Sequence, residues 1–172
     1  MLGLQYSCKS PEFYEKIPRD DVIKNIMEVP EFFAVQKALS ISCKSKSALV
    51  ISYDTAVVHK KKILGKPANP QEALEMLKLL NGTCHQVITG VALTSGGKIL
   101  FSANETTDVT FACVKDEVLK NYAFSKEPED KAGAYAIQGR GAILVKKING
   151  CYYNVMGVPV QLTLRSLEPY FS

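Results

Sequence analysis

A carboxylate that closes a run of apolar, β-branched residues is costly to bury unless it is paired or put to use. Asp54 holds that position, behind the run Ala48-Leu49-Val50-Ile51 and the pair Ser52-Tyr53, with Thr55 beside it. Lys66 follows in Leu64-Gly65-Lys66-Pro67, and Asp130-Lys131 stand shortly before Gly133. Such a set could act on phosphoanhydrides. Carboxylates hold a divalent ion and orient or deprotonate water, and lysines offset the charge that builds on phosphate oxygens. Taken singly, Lys66, Asp130 and Lys131 read more simply as solvated surface charges, whereas the apolar run ahead of Asp54 argues for a partner or a use.

Other chemistries lack their parts. There is no Walker loop, and Gly139-Arg140-Gly141 lacks the last glycine of a dinucleotide fingerprint and runs into a strand pattern where a helix should start. No Gly-x-Ser-x-Gly elbow anchors a serine hydrolase. His59 and His85 do not form a His-Glu-x-x-His motif, and Cys8, Cys43, Cys84, Cys113 and Cys151 are never spaced as Cys-x-x-Cys. Reduced thiols in a cytoplasmic protein are therefore expected, not zinc or a disulfide framework. Lys plus Arg number 21 against 17 Asp plus Glu, a net charge of +4. That balance suits an anionic ligand held in a cleft, and without a basic-aromatic surface motif it predicts no nucleic-acid partner. No apolar stretch nears the roughly 18 residues of a membrane helix, and the first residues lack the pattern of a secretory signal, so neither a membrane partner nor export is expected.

The elements that must position these groups alternate between strand-like and helix-like, which predicts an α/β fold in one domain over 1-172. The Ala48 to Ile51 run predicts a strand buried on both faces that delivers Asp54 at its carboxyl end, where open α/β sheets place ligands. Asn69-Pro70-Gln71-Glu72 is a capping box, followed by Ala73, Leu74, Leu77 and Leu80 on one helical face and by the stop Asn81-Gly82. Val87 to Thr94 and Lys98 to Ala103 flank a hairpin turn at Ser95-Gly96-Gly97, a further strand pattern covers Thr107 to Cys113, and a short helix spans Asp116 to Phe124. Ala142 to Ile148 and Cys151 to Val155 flank Asn149-Gly150, the strongest short hairpin signal of the sequence. Pro159 opens a closing helix with Val160, Leu164 and Leu167 on one face.

Five blocks of the sequence resemble one family in order and spacing. They are Ser52-Tyr53-Asp54-Thr55-Ala56-Val57-Val58, Leu64-Gly65-Lys66-Pro67, Val87-Ile88-Thr89-Gly90-Val91-Ala92-Leu93, Asp130-Lys131-Ala132-Gly133-Ala134-Tyr135-Ala136-Ile137-Gln138-Gly139 and Tyr153-Asn154-Val155-Met156-Gly157-Val158-Pro159. Together they look like the Maf family of nucleoside triphosphate pyrophosphatases. The resemblance implies a Maf-like α/β fold, with a central twisted mixed sheet flanked by helices and two lobes about a cleft. It implies hydrolysis of a nucleoside triphosphate to the monophosphate and pyrophosphate with Mg²⁺ or another divalent ion, and a possible homodimer. By the same resemblance Asp54 is the catalytic acid, acting as base or metal ligand, Lys66 and Lys37 are active-site lysines, and Glu15 is a second acidic metal ligand. Lys131 joins the substrate site, and Thr55 and Gln138 stand where the branch preferring dTTP and UTP selects its base. A glutamine amide, with a donor and an acceptor, can match a pyrimidine edge.

The sequence departs from the family pattern in three places. Family members begin with a strand and loop reading Ser-x-Ser-Pro-Arg-Arg, then a helix ending near Leu-Gly. Here Leu2-Gly3 open the sequence, and neither Ser10-Pro11 nor Pro18-Arg19 continues as that loop does. Without its arginines, weak nucleotide binding is expected, with Lys60, Lys61 and Lys62 as candidate stand-ins, and a catalytically impaired nucleotide-binding or interaction module is the second functional reading. Tyr53 replaces the usual alanine, and Ala136 replaces a usual glycine at a place where positive φ or close approach is expected.

Overall fold

Alternating and β-branched segments pair into one sheet whose strands are β1 (Val50–His59), β2 (Lys62–Leu64), β3 (Cys84–Ser95), β4 (Lys98–Phe111) and β5 (Val145–Asn149). The structure, a computed structural model, describes residues 5–12, 23, 25–45 and 47–171. Among these the strand order is β2-β1-β3-β4-β5, and every pairing is antiparallel, so no parallel component of a mixed sheet occurs in the described residues. Helices cover both faces, as the α/β expectation requires. They are α1 (Val29–Ser42), α2 (Pro70–Leu80), α3 (Asp116–Ala123), α4 (Tyr152–Val155) and α5 (Val160–Leu167).

The capping box forms with one shift, the return bond to Glu72 coming from the residue ahead of the cap. Asn69 Oδ1 accepts from Glu72 N at 2.9 Å, and Glu72 Oε2 accepts from Ala68 N at 2.7 Å. Its apolar face then docks on the sheet: Ala73, Leu74, Leu77 and Leu80 join Val57, Val87, Val109, Phe111, Leu119 and Tyr122 in the main core. Leu77 and Leu80 are fully buried, and truncating either to alanine should cost about 2–5 kcal/mol.

The β3–β4 hairpin turns at Gly96 (φ +54) and Gly97 (φ +76), the positive-φ pair that a two-residue turn demands. β4 does not stop at Ala103. It runs without a break to Phe111, because β3 pairs along its whole length, so the two strand patterns of the sequence are one strand. β1 likewise runs past Asp54 to His59, held by pairing from Val50↔Thr94 to Val58↔Gln86. Asp54 is therefore mid-strand and not at a carboxyl end.

The Asn149-Gly150 hairpin does not form. β5 pairs with β4, and residues 152–155 fold into α4 because tertiary partners outweigh the turn signal. Thr107 Oγ1 accepts from Cys151 N and donates to Cys151 O, while the buried Asn154 side chain donates to Val87 O and to Thr107 Oγ1, each at 3.0 Å. α1, which carries Lys37, has no start signal comparable to Asn69-Pro70. Its preceding 3₁₀ turn Ile26–Glu28 is capped by Asn25 Oδ1 accepting from Met27 N.

Candidate active site

Lys37 reaches Asp54 because α1 lies unusually close to the sheet. Pro30, Ala34, Ala38 and Ser42 recur every four residues and are buried against it. Directly across from Asp54 in the β1–β3 register is Gly90, where an added Cβ would sit 2.4 Å from the backbone of Pro30 and Glu31. Polar ties fix the helix there. Ser52 Oγ donates to Ala34 O, and Ser102 Oγ and Asn104 Nδ2 donate to the Glu31 carboxylate at 2.6 and 3.2 Å. The result is a Lys37 Nζ to Asp54 Oδ1 ion pair of 2.5 Å, with side chains 18% and 13% exposed.

This pair opens into a cavity of about 730 Å³ lined also by Tyr53, Thr55, Lys66, Asp130, Lys131, Tyr135, Gln138 and Gly157. That is the size of a small-molecule site. Successive side chains leave opposite faces of a strand, so Asp54 and Thr55 can share one cavity only if it wraps the edge of β1. β2 covers that edge only over Val57–His59, and among the described residues the edge at 53–56 is unpaired.

Two loops complete the wall. Gly133 N donates to Gly65 O at 3.0 Å, which brings Lys66 beside Asp130-Lys131. The Lys131 ammonium, hydrogen-bonded at 2.9 Å and seconded by the charge of Lys66, holds the Asp130 carboxyl below its usual range. Gly133 takes φ +67 and abuts Val57, and it is Ala134, at φ +60, and not Ala136 that adopts a left-handed conformation next to it. The stretch bearing Gln138 hangs on Glu127. Its carboxylate accepts from Arg140 N, Gly141 N and Tyr122 Oη at 3.0–3.1 Å, and Tyr122 Oη in turn accepts from Ala136 N.

Behind Thr55 the sheet is polar but uncharged. Thr55 Oγ1 meets Thr89 Oγ1 at 2.9 Å, and Thr89 donates to Asn154 O at 3.0 Å. Tyr135 is held by His85 Nε2 at 2.8 Å, with Phe111 edge-on to both rings. Burial lowers the His85 pKa to about 4, with the nearby His59 adding to the effect, so this imidazole is neutral near pH 7. Tyr53, the departure beside Asp54, anchors α5: its hydroxyl meets Thr163 Oγ1 at 3.1 Å, and burial raises its pKa.

The structure thus gathers Asp54, Lys37, Lys66, Lys131, Thr55 and Gln138 around one cavity. Glu15 lies outside the described residues. Lys60 and Lys61 line a different cavity, beside Asn25 and His85. Gly90, Thr89, Asn154 and Glu127 had no assigned role in the sequence reading; a lone glycine inside a strand was the one signal of close backbone approach.

The family model for Maf-like proteins matches residues 1–170. The chain belongs to the Maf family. Among its relatives, a protein of Carboxydothermus hydrogenoformans named dTTP/UTP pyrophosphatase is 46% identical over 147 residues, 85% of this chain and 79% of the relative. Proteins of the same name from Halalkalibacterium halodurans and Bacillus cereus are 45% and 44% identical over 141 and 137 residues, covering 82% and 80% of this chain and 74% and 71% of theirs. The Maf blocks read from the sequence supply most of the cavity wall, while Lys37 comes from α1, ahead of the first block. Among the described residues of this Maf chain no helix is long and apolar enough to cross a membrane.

Proposed function

We propose that the chain hydrolyses a nucleoside triphosphate of the dTTP/UTP type to the monophosphate and pyrophosphate. The observation that carries this reading is the convergence of Lys37, Lys66 and Lys131 with the carboxylate of Asp54 and the amide of Gln138 on one cavity. Three ammonium groups against two carboxylates suit a polyanion. The relatives' shared name supports the nucleotide class.

In this reading Asp54 accepts a proton from, or orients, the water that attacks the α-phosphorus, and the leaving group is pyrophosphate. Lys37 sets the position of that carboxylate and, with Lys66 and Lys131, offsets charge on the phosphate oxygens. Gln138 and Thr55 face the base. The residues fit a divalent ion completed by substrate. Mg²⁺ commonly uses one or two carboxylates plus water and phosphate, Asp54 offers a hard oxygen inside the cavity, and no group of three metal-binding side chains occurs among the described residues. When bound, the ion supplies charge neutralisation at the phosphates. A cytoplasmic location belongs to the same proposal, supported by five free cysteines, as does a homodimer, which rests on the family resemblance and is decided by sedimentation.

The test is product analysis of the purified chain with UTP or dTTP and Mg²⁺. Monophosphate and pyrophosphate are expected. Diphosphate with inorganic phosphate would overturn attack at the α-phosphorus.

A further inference from the structure

The sequence holds two Asn-Gly pairs, and the fold treats them oppositely. At Asn81-Gly82 every group needed for side-chain attack on the backbone is held. Asn81 Nδ2 donates to Val114 O and Asn81 Oδ1 accepts from Val114 N, both at 3.0 Å, while Gly82 N donates to Ala112 O at 3.2 Å. At Asn149-Gly150 the hairpin that the sequence suggests does not form, and both residues are exposed. Among the described residues the Asn149 side chain has no hydrogen-bond partner. It is the last residue of β5, an edge strand, so its one strand neighbour is Asp108 of β4.

We propose that Asn149-Gly150 is a self-modification site, at which Asn149 deamidates and the new carboxylate loosens the seam between β4 and β5. Gly150 has no side chain to shield its nitrogen, which bonds to Asn149 Cγ. The Cγ–Nδ2 bond breaks, and ammonia leaves with the proton that Gly150 N gives up. Water then opens the five-membered imide at either carbonyl, giving aspartate or isoaspartate. Either product sets a carboxylate across from Asp108, which already accepts from Gln86 Nε2 at 3.2 Å, and like charges directly across a strand pair are destabilising. Isoaspartate also adds a main-chain atom where there is no slack, since a Cβ on Gly150 would sit 2.8 Å from Thr107 Oγ1. That oxygen is the one that holds Cys151 N and the Asn154 side chain, and with them the start of α4.

The experiment ages the folded chain at mildly alkaline pH and follows both peptides by mass spectrometry. The Asn149 peptide should take on the mass of an amide turned to acid, and the Asn81 peptide should do so at least about tenfold more slowly, because its two side-chain hydrogen bonds must first break. In urea the two sites should react at similar rates, which assigns the difference to the fold and not to the neighbouring residues. Equal rates in the folded chain, or faster reaction at Asn81, overturn the site. The consequence is read on Asn149→Asp, which carries the charge without the extra atom and should melt about 1–4 °C lower at pH 7. Adding Asp108→Asn should remove that difference. An unchanged melting temperature in Asn149→Asp, or a loss that persists with Asp108→Asn, overturns the repulsion across the seam. Neither measurement uses turnover, so the outcome is independent of the pyrophosphatase reading.

Discussion

On the α1 face of the sheet Asp54 and Lys37 meet as an ion pair 2.5 Å apart at the cavity, whereas one residue along β1, on the opposite face, Thr55 begins a neutral chain through Thr89, Asn154 and Thr107, all three fully buried. The two faces use different means of placement. A charge pair taken from water needs close geometry to recover its desolvation cost, and the small residues of α1 with Gly90 opposite Asp54 provide that closeness. A chain of neutral groups needs direction more than closeness, because each hydroxyl proton can serve one acceptor. The first arrangement leaves charge at the cavity, where reacting phosphates can engage it. The second leaves a neutral hydroxyl, that of Thr55, at the cavity wall.

The comparison breaks most completely at Asp54. Asp54→Asn keeps the shape but not the proton affinity, and turnover should fall about 10²–10⁴-fold while the melting temperature stays within a few degrees. A large loss of stability with turnover retained would assign the carboxylate to the fold. Next comes Gly90→Ala, which drives a methyl into the backbone of Pro30 and Glu31. It should cost about 3 kcal/mol of stability by overpacking and, in the folded fraction, lower turnover as Lys37 leaves Asp54, with the preference for UTP over ATP unmoved. Denaturant melts and steady-state kinetics on one preparation separate these effects.

The neutral face is sharpened by pH. His85 binds its proton less well folded than unfolded, with a pKa of about 4 against 6.5. Between these values the unfolded chain holds more protons, so stability is full above pH 6.5 and falls as pH drops toward 4. The loss from this group should reach about 2 kcal/mol at pH 5. His85→Phe should flatten the curve between pH 7 and 5, and an unchanged slope would show that other groups carry it. The smallest effect is expected at Gln138→Ala, where preference for UTP over ATP should drop about fivefold, as for one lost hydrogen bond, with little change in melting temperature.

The legible parts of the fold are those whose signals are local. Asn69, Pro70 and Glu72 specify the start of α2 within four residues, and Gly96-Gly97 specify a turn that no neighbour contests. Asn149-Gly150 carries an equally good turn signal and fails, because Thr107 and Asn154, distant in sequence, bind the segment as a helix. α1 was missed because small residues on its buried face give weak amphipathic contrast, although that smallness is what lets it approach the sheet.

By itself the sequence determined the family, the α/β class and the candidate site residues that line one cavity: Asp54, Lys66, Lys37, Lys131, Thr55 and Gln138. Tertiary structure alone decided that Asp54 lies mid-strand opposite Gly90, that Lys37 crosses from α1 to pair with it, and that Thr55 meets the buried Thr89, itself bonded to Asn154 O. Residue type and spacing carry propensity and charge, which are local quantities. The distance between a helix and a sheet, and the single proton that a buried hydroxyl can give, depend on partners far apart in the chain that only the folded packing brings together.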